Sequence, residues 1–134
     1  MHRLNLTFQI TETISYSTLE MAILRAGYTV FPISVRNSPA AVAHLISKVN
    51  VSHVFVGREQ AIVDLSDKAL KLLSEENTSQ SVPTVSPILT FEDLYTPSKS
   101  DDDNDAVPFE KKNMEDIAIY LHSSGSRSIF MCIN

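Results

Sequence analysis

Strand-like apolar runs alternate with segments of helical periodicity in this chain, and that alternation constrains the fold more than any other feature. "TVFPISV" (29–35) and "VSHVFVG" (51–57) are apolar runs rich in β-branched residues, as expected of strands covered on both faces. Helical patterns surround them, namely "YSTLEMAILRAGY" (16–28), "NSPAAVAHLISKVN" (37–50) and "REQAIVDLSDKALKLLSEE" (58–76). Such alternation predicts an α/β fold, a layered, largely parallel sheet flanked by helices.

Local residues predict where several of these elements begin and end. Ser17 or Thr18 is predicted to cap the first helix and Gly27 to end it, while Ser38 is predicted to cap the second helix. Pro32 lacks a ladder donor, so its strand is predicted to bend or to lie near an edge of the sheet.

Further strands are predicted outside this central region. "LTFQI" (6–10) alternates like a short strand, and a second short strand is predicted around residues 85–89. "DIAIYLH" (116–122) has the composition of an inner strand. The intervening stretch is rich in Ser, Pro and Asp, which predicts a flexible surface connection at about 96–113.

Composition excludes several classes of protein. A length of 134 residues supports one ordinary domain, and a net charge of −5 argues against nucleic-acid binding. No apolar run approaches the roughly 20 residues that span a bilayer, so no membrane association is expected. Cys132 is the single cysteine, which excludes an internal disulfide and fits a reducing compartment. We therefore expect a cytoplasmic protein.

"HSSGS" (122–126) is the main candidate for chemistry, because it follows an inner strand at the edge where α/β sheets bind ligands. Gly125 would let the backbone approach an anion, and the neighbouring hydroxyls and backbone N–H groups could donate to phosphate oxygens. Taken alone, however, such a Ser/Gly cluster is usually a solvated polar turn. Arg36 and Asn37 also follow a strand end, where they either contact a ligand or help to end the strand and begin the next helix.

Other chemistries lack support in the sequence. The acidic run 101–105 lacks the glycine and distal Glu of a calcium loop, and the His and Cys residues have no metal-ligand spacing. The chain has neither a Walker loop nor a serine-hydrolase elbow, and no G-x-G-x-x-G that would indicate a dinucleotide-dependent oxidoreductase. No catalytic residue and no metal ligand are predicted.

Two stretches resemble a known family. "YLHSSGS" (120–126) resembles the start of the phosphate-binding motif of adenylate-forming (AMP-binding) enzymes, typically T-S-G-S-T-G-x-P-K. "AILRAGYTVFPISVRNSPAAVAHLISKVNVSHVFV" (22–56) resembles their A-G-x-x-x-x-P helix–strand–helix region. The sequence of these stretches is similar to that of fungal adenylation domains of peptide-synthetase-like carboxylate reductases. The resemblance covers about residues 12–126.

This resemblance implies an activity and its cofactors. Ser123, Ser124, Gly125 and Ser126 match the phosphate loop, which in the family holds the β- and γ-phosphates of ATP with Mg²⁺. A carboxylic acid then attacks the α-phosphate, giving an acyl-adenylate and pyrophosphate. In the reductase type, a carrier-protein phosphopantetheine thiol receives the acyl group. His122 matches the residue before the loop, without an assigned chemical role.

The sequence departs from the family directly after the loop. Where the family has Thr, Gly or Ser, and then Pro-Lys, this chain has "RSIFMCIN" (127–134). We therefore expect residues 1–126 to be a partial adenylation domain, cut within its phosphate loop, and residues 127–134 to be a divergent tail. The prediction is a fragment of an acid-activating enzyme that is inactive by itself. The alternative is a non-catalytic α/β module that binds a nucleotide or a protein.

Overall fold

The computed structural model describes residues 4–8, 13–76, 81–95, 116–122 and 130–133. These residues form six strands and four helices, and the predicted α/β fold is confirmed. In chain order the elements are β1 (Leu4–Phe8), α1 (Thr13–Arg25), β2 (Thr29–Ile33), α2 (Pro39–Val49), β3 (His53–Val56), α3 (Gln60–Glu76), β4 (Thr84–Pro87), α4 (Phe91–Tyr95), β5 (Ile119–His122) and β6 (Phe130–Ile133).

The strands form one sheet in the order β4-β3-β1-β2-β5-β6. Every pairing from β4 to β5 is parallel, and β5 pairs with β6 in the antiparallel sense. The chain moves from β1 to β2 in one direction and then crosses back over β1 to β3 and β4. Since parallel crossovers are right-handed, this reversal places α1 on one face of the sheet and α2 and α3 on the other.

Two apolar clusters fill the two sides of the sheet. The larger cluster joins α2 and α3 to β2 and β3, and Phe31, Val42 and Val54 within it are fully buried. The smaller cluster packs Leu19 and Ile23 of α1 against Val30 of β2 and against Ile88, which follows β4. Both faces of the central strands are therefore covered, as the apolar runs of the sequence predict.

The end of α1 is confirmed, but its predicted start is wrong. The Gly27 backbone has a φ of 83°, and the Tyr28 N–H donates to the Ile23 carbonyl over 3.1 Å, which closes the helix in a Schellman-type turn. The helix begins at Thr13, so Ser17 and Thr18 lie within it. Thr18 is engaged by tertiary structure instead, since its hydroxyl lies 3.0 Å from the Tyr95 hydroxyl of α4.

The ends of α2 follow from its sequence. Ser38 caps the helix as predicted, because its hydroxyl accepts the Ala41 N–H over 3.3 Å. The other end closes at Asn50, which adopts the left-handed conformation with φ 55° and ψ 56°. Asparagine tolerates this conformation better than most residues other than glycine.

Pro32 lies in an inner strand, so the predicted edge position is wrong. β2 lies between β1 and β5 in the sheet. The Val30 N–H donates to the Ala118 carbonyl, just before β5, over 3.0 Å. Pro32 follows two residues later and faces the same neighbour without an N–H to donate. The β2–β5 pairing is accordingly confined to Val30 and Ile119, which is how the sheet accommodates the proline.

The region after α3 contains more structure than predicted. β4 confirms the expected short strand, but α4 lies where only irregular chain was expected. A capping box begins α4, in which the Thr90 N–H donates to Asp93 Oδ2 over 2.9 Å and the Asp93 N–H donates to Thr90 Oγ1 over 3.2 Å. β6 also occupies part of the segment expected to be a divergent tail. The connection predicted at 96–113 lies outside the described residues.

Candidate functional site

The predicted phosphate loop follows the carboxyl end of β5. Because β5 is parallel to β2, the two strands end at the same edge of the sheet. Ser123, Ser124, Gly125 and Ser126 lie outside the described residues. The site that can be described is the edge that leads into this loop, made of residues 34–37 after β2 and of His122 at the end of β5. We refer to it as the β2–β5 edge.

Three hydrogen bonds attach β5 and the two residues before it to β2 and to the turn after β2. Thr29 Oγ1 donates to the Ile117 carbonyl over 2.8 Å just before β5 begins. The Val30 N–H donates to the Ala118 carbonyl over 3.0 Å. At the far end, 3.3 Å separates the Asn37 amide nitrogen from His122 Nε2. These bonds hold β5 at both ends despite the donor that Pro32 lacks.

A tight turn places Asn37 beside β5. The Asn37 N–H donates to the Ser34 carbonyl over 3.2 Å, and the Arg36 N–H donates to Ser34 Oγ over 3.3 Å. The helix cap is Ser38 alone, which leaves the Asn37 side chain available for His122. In this orientation the Asn37 amide nitrogen can only donate, so His122 Nε2 is the acceptor in this contact. Contact of Arg36 or Asn37 with a ligand stays a prediction.

Aromatic packing fixes the side chains at the end of β5. Phe31 of β2 is fully buried and meets two rings of β5 edge to face. The Phe31 and Tyr120 ring centroids are 6.2 Å apart, and the Phe31 and His122 centroids are 6.3 Å apart. Edge-to-face pairs of this kind stabilise one side-chain arrangement. Sequence reasoning left His122 without a role, and the structure shows that this last residue before the loop is held by its contacts with Phe31 and Asn37.

Two titratable groups with displaced pKa values lie away from this edge. Partial burial lowers the pKa of His53 on β3, whose Nε2 lies 3.1 Å from Ser86 Oγ. The backbone N–H of Thr90 lowers the pKa of the Asp93 carboxyl, and the Thr90 side chain and Arg58 act in the same direction. Both groups serve contacts around β4 and α4, and neither belongs to the β2–β5 edge.

The described ranges of the chain contain neither a metal-binding cluster nor a membrane-spanning helix. Within those ranges, no group of three or more His, Cys, Asp or Glu side chains could hold a metal ion. Among the helices of the same ranges, none has both the length and the apolar character that a bilayer crossing requires.

Sequence comparison gives a family and its relatives. The family of AMP-binding enzymes matches residues 7–128. The chain is 45% identical over 117 residues to adenylate-forming reductase Nps10 of Heterobasidion annosum and 34% identical over 120 residues to adenylate-forming reductase Nps11 of Serpula lacrymans. Each alignment covers 87% of this chain and 11% of the relative. The chain thus spans about a tenth of the length of these proteins.

Solved structures share the fold. A luciferase-like enzyme from the mealworm Zophobas morio superposes with a TM-score of 0.73 at 20% identity, covering 98% of this chain and 30% of that one. Apo MatB from Rhodopseudomonas palustris gives 0.67 at 16% identity, covering 99% and 25%. The family match extends from β1 past the end of β5 and includes the entire β2–β5 edge. On this sequence match, the chain belongs to the family of AMP-binding enzymes.

Proposed function

We propose that this chain is part of an enzyme that uses ATP to activate a carboxylic acid as its acyl-adenylate. The single observation that carries the proposal is the attachment of β5 to β2 at the β2–β5 edge. The Asn37–His122 contact lies directly before the predicted loop, so a donor-rich segment begins from a defined position. The 45% identical relative, named an adenylate-forming reductase, supports the same activity.

Ser123, Ser124, Gly125 and Ser126 are proposed to bind the β- and γ-phosphates of ATP. Serine hydroxyls and successive backbone N–H groups are neutral donors that suit phosphate oxygens, and glycine permits close approach. The loop itself contains no carboxylate. Mg²⁺ would therefore be held mainly through the phosphates, where it would neutralise their charge while the carboxylic acid attacks the α-phosphate. The loop contributes position and donor groups, which are the main requirements of such transfers.

We propose that the chain alone does not form acyl-adenylates and that it is located in the cytoplasm. It spans 11% of the length of its relatives, and "RSIFMCIN" stands where the family has Pro-Lys. The residues that select the acid would belong to a longer protein. So would a carrier-protein phosphopantetheine thiol that accepts the acyl group. The chain would supply the first strands and helices around the ATP loop.

Nucleotide binding and pyrophosphate exchange test the two parts of this proposal separately. The purified chain is titrated with ATP and Mg²⁺ and followed by ³¹P NMR, then incubated with labelled pyrophosphate and a panel of carboxylic acids. We expect weak nucleotide binding and no exchange. Robust exchange would contradict the inactivity of the chain. Tight nucleotide binding without exchange would instead favour a nucleotide-binding module.

A matched pair of variants tests the loop residues. Gly125→Val adds a branched side chain where the backbone must approach phosphate, and Ser124→Ala removes one donor. Both should weaken ATP binding, with the larger effect from Gly125→Val. Ser81→Ala changes an exposed serine near β4 and should leave ATP binding unchanged. Equal ATP affinity in all four proteins would remove these residues from the phosphate site.

A further inference from the structure

A cavity of about 390 Å³ lies between α3 and β4, away from the β2–β5 edge. We refer to it as the α3–β4 cavity. Its volume falls in the range of about 300–1,000 Å³ that small-molecule sites occupy. We propose that the α3–β4 cavity binds a small, uncharged, mainly apolar molecule that carries one hydrogen-bonding group.

The path of the chain explains why this cavity is open. α3 packs on the same face of the sheet as α2, and β4 follows α3. After β4 the chain crosses to the opposite face, where the Tyr95 hydroxyl of α4 lies 3.0 Å from the Thr18 hydroxyl of α1. In the part of the chain that the structure describes, no further helix packs beside α3 over β4. The space next to α3 consequently forms a pocket.

The walls of the cavity are apolar. They include Val56 at the end of β3, Val63 of α3, and Val85 and Pro87 of β4. Val56 is buried and Val63 partly buried, whereas Val85 is 45% exposed. A ligand that covered these side chains would remove apolar surface from water, which favours an apolar body.

Ser66 supplies the polar feature of the cavity. Ser66 is among the lining residues and is 3% exposed, and its hydroxyl has no hydrogen-bond partner among the residues that the structure describes. Buried hydroxyls in folded proteins nearly always have a partner, so an unpartnered one needs an explanation. The hydroxyl oxygen is covered from the open space, so a ligand with a donor or acceptor group would satisfy it once the Ser66 side chain rotates toward the cavity. This hydroxyl is the reason to expect one hydrogen-bonding group rather than a pure hydrocarbon.

The charges around the cavity favour an uncharged ligand. Arg58 is already engaged, since Nη2 donates to Asp93 Oδ2 over 3.1 Å and Nε donates to the Ile88 carbonyl over 3.1 Å. The other charged lining residue is Asp67, whose exposed carboxylate would repel an anion. A cation close to Asp67 would lose contact with water over the valine walls. The lining as a whole therefore favours neither an anionic nor a cationic ligand.

The α3–β4 cavity is separate from the β2–β5 edge. It lies against β3 and β4, and β1 and β2 stand between β3 and β5. Three strand spacings correspond to about 14 Å. A molecule in the cavity would therefore occupy a second site and would not fill the phosphate loop. This proposal does not depend on ATP binding, so the two can fail independently.

Two probes of nearly equal shape test the proposal on the purified chain. p-Cresol carries one hydroxyl, and p-xylene carries a methyl group in its place. Valine methyl NMR spectra are recorded during titration with each probe. Both should shift the methyl signals of Val63 and Val85, while Val42, a buried residue of α2 outside the cavity lining, should not move. Absence of shifts at Val63 and Val85 up to the solubility limit of both probes would overturn the proposal.

Variants then test the walls and the hydroxyl separately. Ser66→Ala should weaken p-cresol binding by about two- to tenfold, the value of one hydrogen bond, and leave p-xylene binding unchanged. Ser74→Ala, on the same helix and outside the cavity, is the matched control and should change neither affinity. Val85→Trp, at a half-exposed position, should abolish binding of both probes. Retention of full p-cresol affinity in Ser66→Ala would overturn the role of the hydroxyl, and retention of both affinities in Val85→Trp would overturn the site.

Discussion

The Asn37 amide nitrogen lies 3.3 Å from His122 Nε2 and joins two residues that are 85 positions apart in the sequence. Asn37 belongs to the turn after β2, and His122 is the last residue of β5. The contact therefore fixes the point from which the predicted phosphate loop starts. Phe31 supports the Asn37–His122 contact, because its buried ring meets the His122 ring edge to face.

A double-mutant cycle should detect this contact. Asn37→Ala removes the donor, and His122→Phe keeps an aromatic ring against Phe31 but removes the acceptor. The bond is partly buried, so we expect a coupling free energy of about 0.5–1.5 kcal/mol between the two changes. Urea denaturation of the wild-type protein, both single variants and the double variant measures it. Strict additivity of the two changes would show that the contact adds nothing to stability.

The attachment of the residues just before β5 should depend on the Thr29 hydroxyl. Thr29 is 2% exposed and donates to the Ile117 carbonyl over 2.8 Å, so Thr29→Val leaves a carbonyl without that donor at nearly constant volume. The free energy of unfolding should fall by about 1–2 kcal/mol. Thr18→Val removes an exposed hydroxyl contact with Tyr95 and should change it by less than about 0.5 kcal/mol. Equal effects of the two variants in urea denaturation would contradict the importance of the Thr29 bond.

The left-handed backbone of Asn50 should govern substitutions at the end of α2. Glycine adopts this conformation freely, so Asn50→Gly should keep or slightly raise stability. A β-branched side chain clashes there, and Asn50→Val should lower the free energy of unfolding by about 1–2 kcal/mol. Thermal and urea unfolding of the two variants provide the comparison. A valine variant as stable as the glycine variant would contradict the assigned conformation.

His53 should make stability depend on pH. Partial burial lowers the pKa of folded His53 below the ordinary value of 6.5, so the unfolded chain binds more protons between the two values. The free energy of unfolding should therefore fall as the pH drops below about 6.5, until the pH also passes the lower pKa of the folded protein. Above that window the contribution is constant.

Replacement of His53 isolates this effect. His53→Gln keeps a polar group near Ser86 but does not titrate, so the loss of stability between pH 7 and pH 5 should become smaller. Thr18→Val, which changes an exposed contact and no titratable group, is the control and should keep the wild-type slope. Urea denaturation across this pH range measures all three proteins. Identical slopes in the wild-type protein and His53→Gln would refute the assignment.

Short-range signals allowed much of the fold to be predicted. Gly27 ends α1 and Ser38 begins α2 because caps act between residues only a few positions apart. The capping box of Thr90 and Asp93 is equally local, and "TFED" could have revealed α4 from the sequence. The same local patterns, together with the resemblance of "YLHSSGS" and its upstream partner, led to the family that sequence comparison confirms.

Tertiary structure decided what these short-range signals could not. α1 starts at Thr13, upstream of the predicted caps, and Thr18 lies within the helix and contacts Tyr95 of α4. Pro32 occupies an inner strand, where Thr29 bonds the Ile117 carbonyl before β5 and Asn37 contacts His122 at the end of β5. The sequence determined by itself where strands and helices alternate, since periodicity and caps operate within a few residues. Sheet order and the Asn37–His122 contact required the folded chain, because only burial and long-range closure bring such distant residues together.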